Sequence, residues 1–215
     1  MAPTGKMNPE VIGNTDRWFV VAKPAGWLTI PGRASNQGVS HPVLQEWAEA
    51  AHGAKLWVVH RIDLETSGVV LFAKTAESHR VANQWFEKHE VKKAYDFLAQ
   101  GNPTSPIMKA SDPIEGKPSV TQLEVKERFQ GAYLGRATPL SGRRHQIRIH
   151  LLKKGHPILG DETYGGPKQI ESLNLDIGRV ALHAAKLELP GGERFEAPWP
   201  EDFQSWVEKL RSARQ

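Results

Sequence analysis

The chain contains no cysteine. That absence excludes disulfides, zinc ribbons, iron–sulfur clusters and cysteine nucleophiles together, and it is compatible with the cytosol. No run of ~18 apolar residues occurs, and the opening MAPTGKMNPE lacks the apolar core of a signal peptide. A soluble, cytoplasmic protein with no membrane partner is therefore expected. Neither a GxxxxGK phosphate loop nor a GxGxxG fingerprint is present. His89-Glu90 begins like a zinc-protease helix, but Lys93 stands where the second histidine would be, and the nine histidines form no ligand-spaced cluster. With neither metal nor cofactor expected, any chemistry must come from side chains alone.

A further shortage is local. Between Glu127 and Asp161 there is no acidic residue, while Arg128, Arg136, Arg143, Arg144, Arg148, Lys153 and Lys154 give the stretch a charge of +7. The whole chain carries only +4, so the remainder sums to −3. Such asymmetry suits a polyanionic partner, most simply nucleic acid. The alternative is a solvated basic face. In other respects the composition is ordinary for a globular protein, and 215 residues suffice for one sizeable core.

Residues 1–16 read as a short flexible lead-in and residues 17–215 as a single domain. WFVVAKP over 18–24 reads as a strand stopped by Pro24. A helix follows over 42–52, capped by Ser40 or His41 and ended by Gly53, with Val43, Leu44, Trp47, Ala48 and Ala51 in one apolar stripe. A strand over 69–73 precedes a second helix capped by Thr75, with Val81, Trp85 and Phe86 on its inner side. Residues 92–99 read as another strand. The Gly- and Pro-rich segment 101–118 reads as a long loop and the best boundary between two halves of the domain. Further strands are expected at about 119–128, 132–138, 145–152 and 180–189. A helix over 200–215 is opened by Pro200 and acids, faces inward with Phe203, Trp206, Val207 and Leu210, and carries Lys209, Arg211 and Arg214 near its end. Strands outnumber helices without alternating with them, so an α+β fold on a largely antiparallel sheet is expected.

Asp63 in HRIDLETSG (60–68) lies between the apolar runs LWVV and VVLFA, where a charge is costly unless something holds it. It reads either as an Asx turn ahead of Thr66, Ser67 and Gly68, or as a nucleophile or base kept ionised by a cation. GRRHQIRIH (142–150), taken as an extended strand, places Arg144, Gln146, Arg148 and His150 on one face and His145, Ile147 and Ile149 on the other. Arg148, flanked by isoleucines, needs a carboxylate partner, which the acid-free stretch does not offer locally. A phosphate-binding arginine row is the other reading, and it suits Arg143 and Arg144 in any case. Tyr95 in KKAYDF is open between core packing and stacking on a nucleobase.

These segments together resemble the RluA-type family of RNA pseudouridine synthases, from Trp18 to about Phe203. AKPAG (22–26) is similar to the family's first motif and HRIDLETSG to its catalytic HRLDxxTSG. Lys93-Ala94-Tyr95 is similar to its KxY element and GRRHQIRIH to its GRTHQIRxH, and HPILGDETYG (156–165) and ALHAAKLEL (181–189) match further blocks. The resemblance implies a bent, mostly antiparallel mixed sheet flanked by helices and loops, with the active site in a cleft between its halves. It implies Asp63 as catalytic aspartate, Arg148 as its buried ion-pair partner and Tyr95 as the aromatic stacked on the target uracil. Arg61 would enter the RNA stack in place of the flipped nucleotide, and Ile149 would line the pocket. His60, Lys93, Arg143, Arg144 and Gln146 within the same motifs would contact RNA. Ile62 and Arg144 depart from the usual Leu and Thr or Ser. No S4-type domain is expected ahead of the first motif, so target choice would rest on the catalytic domain.

The implied reaction breaks the N1–C1′ bond of a uridine in rRNA or tRNA, turns the base and joins C5 to C1′, on a protein expected to be monomeric. Two other classes remain for comparison. One is an RNA-binding module or chaperone that has lost catalysis, to which an intact Asp63, Tyr95 and Arg148 would be of no use. The other is a metal-dependent nuclease using Asp63, His60 and His145, which needs more carboxylates near the cleft.

Overall fold

The computed structural model describes residues 8–32, 40–171 and 174–213. Residues 1–7 of the expected lead-in and Arg214 lie outside them. The elements run β1 (Glu10–Asn14), β2 (Trp18–Lys23), α1 (Leu44–His52), β3 (Trp57–Val58), β4 (Ser67–Ala73), α2 (Ala76–Glu87), β5 (Lys92–Gln100) and β6 (Ile107–Ala110). They continue with β7 (Thr121–Arg128), β8 (Ala132–Pro139), α3 (Gln146–Lys153), β9 (Gln169–Ile170), β10 (Leu175–Asp176), β11 (Leu182–Glu188), β12 (Arg194–Glu196) and α4 (Glu201–Ser212). One ten-stranded sheet has the order β1-β2-β4-β11-β5-β8-β7-β6, with β12 beside β11 and β3 beside β4, while β9 and β10 pair separately. Every pairing is antiparallel except β4 with β11, which is parallel. The α+β architecture on a mostly antiparallel sheet is as expected.

The parallel contact is short. β11 meets β4 only at Ser67 and Gly68, and β3 takes over beside Phe72 and Ala73. This is the seam of the molecule. Gly68 has φ +119, and a Cβ there would lie 2.2 Å from the carbonyl oxygen of Ala184. Only glycine permits that backbone approach. On the N-terminal side both faces of β2 and β4 are covered. Trp18, Val20, Val69 and Leu71 belong to one apolar cluster, and Phe19, Val21, Val70 and Phe72 to another with Leu44 and Ala48 of α1. All seven residues of β4 are buried, as its unbroken apolar run requires. Beyond the seam, β5, β7 and β8 form a third core with α3 and α4, and Tyr95 packs against both this core and the one beneath α1.

Four expectations are corrected. Residues 10–14, placed in the lead-in, form an edge strand on β2. Residues 101–118 are no boundary: β6 lies within them and pairs with β7 at the sheet edge, so the halves divide at β11 instead. Neither Ser40 nor His41 caps α1; Val43 occupies that position, and the free N–H groups of Leu44 and Gln45 donate to the carbonyls of Leu28 and Thr29. Most consequential, 146–153 is a helix and not a strand. Its short run satisfies period two through Ile147 and Ile149, yet the buried pairs Ile147/Leu151 and Gln146/His150 follow helical spacing. Gln146 and His150 both bond the Thr121 hydroxyl, which fixes that face of α3 against β7. Thr75 does cap α2, accepting from the N–H of Ser78 at 3.1 Å.

Candidate active site

The loop between β3 and β4 is held by its backbone. Thr66 N–H donates to the main-chain carbonyl of Asp63, and Gly26 N–H and the Lys23 ammonium both donate to that of Leu64. Thr29 Oγ1 bonds Ile62, and Arg179 Nη1 donates to the carbonyl of Glu65. The Asx-turn alternative thus fails at the side chain. The turn uses the carbonyl of Asp63, while its carboxylate faces a cleft of about 330 Å³ and is one-third exposed (33%). Among the described residues Asp63 is the only acid lining that cleft, beside Arg61, Lys93, Arg143, Arg144 and Arg148.

Arg148 is buried, but its partner is not chiefly Asp63. Its Nε and Nη2 grip both oxygens of Asp161 at 2.6 and 2.7 Å, a bidentate pair with a wholly buried carboxylate, and Nη1 stands 3.7 Å from Asp63 Oδ2. The expected pair with Asp63 is present, but it is the looser of two. Asp161, the residue that ends the acid-free stretch, locks the guanidinium, which offers its remaining edge to Asp63. The Tyr164 ring lies 5.0 Å from the same guanidinium, and Tyr164 N–H donates to Asp161.

His145, not predicted as a site residue apart from the nuclease alternative, is Asp63's other neighbour. Nε2 lies 3.8 Å from Asp63 Oδ1, and Nδ1 is 3.0 Å from the Tyr164 hydroxyl. It caps the N-terminus of α3 at φ 52°, a left-handed conformation costing roughly 1–3 kcal/mol for a residue with a side chain. Burial lowers its pKa, Asp63 opposes that shift, and Arg148 and Arg144 add to it. The neighbourhood of HPILGDETYG to GRRHQIRIH was the only signal in the sequence that could have found Asp161 and Tyr164.

Tyr95 rises from β5 into the cleft, its phenol made harder to ionise by burial and by the nearby Asp63 charge. Arg61 and Arg144 are exposed at the rim and have no hydrogen-bond or ionic partner among the described residues. Lys93 lines the cleft while donating to the carbonyl of Ser141, and burial lowers its pKa. Other expected RNA contacts are engaged within the fold. Gln146 is buried and bonds Ser141, Arg143, Val120 and Thr121. His60 accepts from Leu71 N–H at 3.0 Å and stacks on Phe86, and burial followed by the Lys93 charge lowers its pKa to about 3. It lines the cleft as a neutral ring. Ile149 does not line it. Ile147 does, because the helix turns the side chains by about 100° per residue where a strand would alternate them. The seven cations of the acid-free stretch are likewise no single patch. Arg136 pairs with Asp96, Arg148 with Asp161, Lys153 with Asp112, and Arg128 donates to Pro103.

The backbone as a whole matches a solved structure titled human RNA pseudouridylate synthase domain containing 4, with a TM-score of 0.78 at 23% identity over 94% of this chain and 92% of that one. The fold class is thus that of the pseudouridine synthases. In sequence, residues 17–153 match the family described as RNA pseudouridylate synthase. The chain is also 34% identical to ribosomal large subunit pseudouridine synthase C of Escherichia coli (strain K12), over 95% of its own length and 70% of the relative's. It is 32% identical to ribosomal large subunit pseudouridine synthase D of Pasteurella multocida (strain Pm70), over 94% and 71%. The chain belongs to the RluA-type family of RNA pseudouridine synthases, isomerases that convert uridine in RNA to pseudouridine.

Proposed function

We propose that this synthase acts on ribosomal RNA of the large subunit, in the cytoplasm and as a monomer, with Asp63 as its catalytic carboxylate. The names of its relatives support the RNA class. The observation that carries the site assignment is that Asp63 is the one acid, among the described residues, lining a cleft whose walls include five cations and Tyr95. A nucleic-acid backbone is attracted to such a rim, and a single acid at its floor is a reagent more than a surface group. Arg148, held by Asp161, sets a fixed guanidinium 3.7 Å from the Asp63 carboxylate.

The uracil leaves its stack to reach Asp63, at a cost of a few kcal/mol. Stacking on Tyr95 returns about 1–3 kcal/mol, and Arg61 fills the vacated place. Arg143, Arg144 and Lys93 bind the flanking phosphates. Pseudouridine mapping of total RNA from cells with and without the protein tests the substrate. The expected result is a large-subunit uridine that is converted only when the protein is present, and a map without difference refutes it. For the site, Asp63→Asn abolishes turnover and retains RNA binding in a filter assay. Substantial product from that variant rules Asp63 out.

A further inference from the structure

We propose that His145 is a second catalytic residue, the base that removes the C5 proton of the uracil. The assignment rests on the synthase reading of the cleft. Isomerisation leaves one proton to relocate: C5 carries hydrogen in uridine, and N1 carries it in pseudouridine. Once C5 is joined to C1′, the C5–H bond breaks and its electron pair forms the C5–C6 double bond. The C6–N1 double bond of that intermediate shifts its pair onto N1, which takes a proton from water, and the base returns its own to water. Nothing is oxidised. Asp63 acts at the sugar or ring during bond exchange, so the C5 proton calls for another acceptor close by.

The side chains lining the cleft leave one candidate. Its arginines stay cationic. Lys93 donates to Ser141, and the ring nitrogen of His60 that could accept is occupied by Leu71 N–H. Tyr95 would have to ionise against burial and the Asp63 charge. His145 has no such bar. With the proton on Nδ1, that N–H donates to the Tyr164 hydroxyl at 3.0 Å, and Nε2 presents its lone pair to the cleft, 3.8 Å from Asp63. Tyr164 meets the imidazole edge-on at 84°, fixing its plane, and the left-handed backbone at His145 aims it. The charged groups around the ring are Asp63, Arg144, Arg148 and Asp161. Burial and the two arginines lower the pKa of the imidazole, which favours its neutral form, and Asp63 beside it favours the imidazolium once a proton is taken.

Single-turnover kinetics test this on a transcript containing a uridine that the wild-type protein converts, made with hydrogen or deuterium at C5. His145→Gln is expected to slow conversion about 10²–10⁴-fold, the usual contribution of a general base. RNA binding stays at the wild-type level, and the C5 isotope effect rises because proton removal becomes rate-limiting. Tyr164→Phe retains the imidazole but removes its acceptor, so the acid limb of the pH–rate profile moves to lower pH. A His145→Gln enzyme with wild-type rate overturns the proposal. So does a slow variant whose isotope effect is unchanged, which would make His145 a positioning residue. A wild-type protein that converts no uridine in any RNA overturns the synthase reading, and the assignment with it.

Discussion

Asp63 and Asp161 both face Arg148, and what separates them is solvent. Asp161 is wholly buried in a bidentate pair, whereas Asp63 is one-third exposed at 3.7 Å. Asp161→Ala strands a buried guanidinium and is expected to destabilise the protein by about 3–5 kcal/mol in urea unfolding. Asp63→Asn, at a more exposed and looser pair, should change stability by less than about 1 kcal/mol. Activity should vanish in both, so stability separates the roles proposed for the two carboxylates. His60 makes a pH prediction. Its pKa falls from 6.5 unfolded to about 3 folded, so between those values the unfolded chain binds more protons. Stability is therefore intact above pH 6.5 and falls as pH drops toward 3. The loss is up to about 1.4 kcal/mol per pH unit, reduced by what the ring's exposed edge recovers. Urea midpoints of wild type and His60→Gln across that range should differ in slope.

At the scale of elements, the seam decides where the site forms. The motif loop enters β4 at Ser67 and Gly68, where the parallel contact to β11 begins. Gly68→Ala introduces a Cβ into the Ala184 carbonyl at a φ that side chains rarely adopt. Backbone strain and overpacking together should cost about 2–4 kcal/mol. Thermal unfolding should show it, with activity lost in proportion to the displaced Asp63 loop. A clasp reinforces the seam. Arg179 grips Asp202 of α4 at 2.7 and 2.9 Å while bonding the Glu65 carbonyl and the Ser67 hydroxyl. The C-terminal helix is thereby tied to the residues that follow Asp63.

For the whole molecule, the relevant charge is the cleft rim and not the basic stretch of sequence. If Arg61, Lys93, Arg143 and Arg144 each neutralise one phosphate, the log–log slope of RNA affinity against salt is roughly −3 to −4. Arg144→Thr should flatten it by about 0.7–0.9, measured by titrations at several salt concentrations. An unchanged slope would place Arg144 off the RNA. Among the described residues no helix is long and apolar enough to cross a membrane.

Much of this was legible in the chain itself. The apolar run of β4, the Thr75 cap, the stripe of α4 and the motif holding Asp63 are local patterns, and local chemistry enforces them. Tyr95 could be placed on a strand by the same means. Period failed at 146–153, where eight residues fit alternation and helix alike, and only contacts with Thr121 and the core select the helix. That choice put Ile147 in the cleft in place of Ile149 and directed Gln146 inward. The closer partner of Arg148, Asp161, also lay beyond sequence reasoning, because pairing depends on which carboxylate folds into the dry interior and not on which has a motif. Sequence by itself determined the family, the sheet-forming segments and the carboxylate at issue, since each is written in residues close together along the chain. Tertiary structure alone decided that Asp161 holds Arg148, that His145 stands beside Asp63, and that Arg136, Arg148 and Lys153 of the basic stretch are paired with carboxylates. Those are matters of distance and solvent between residues far apart in sequence.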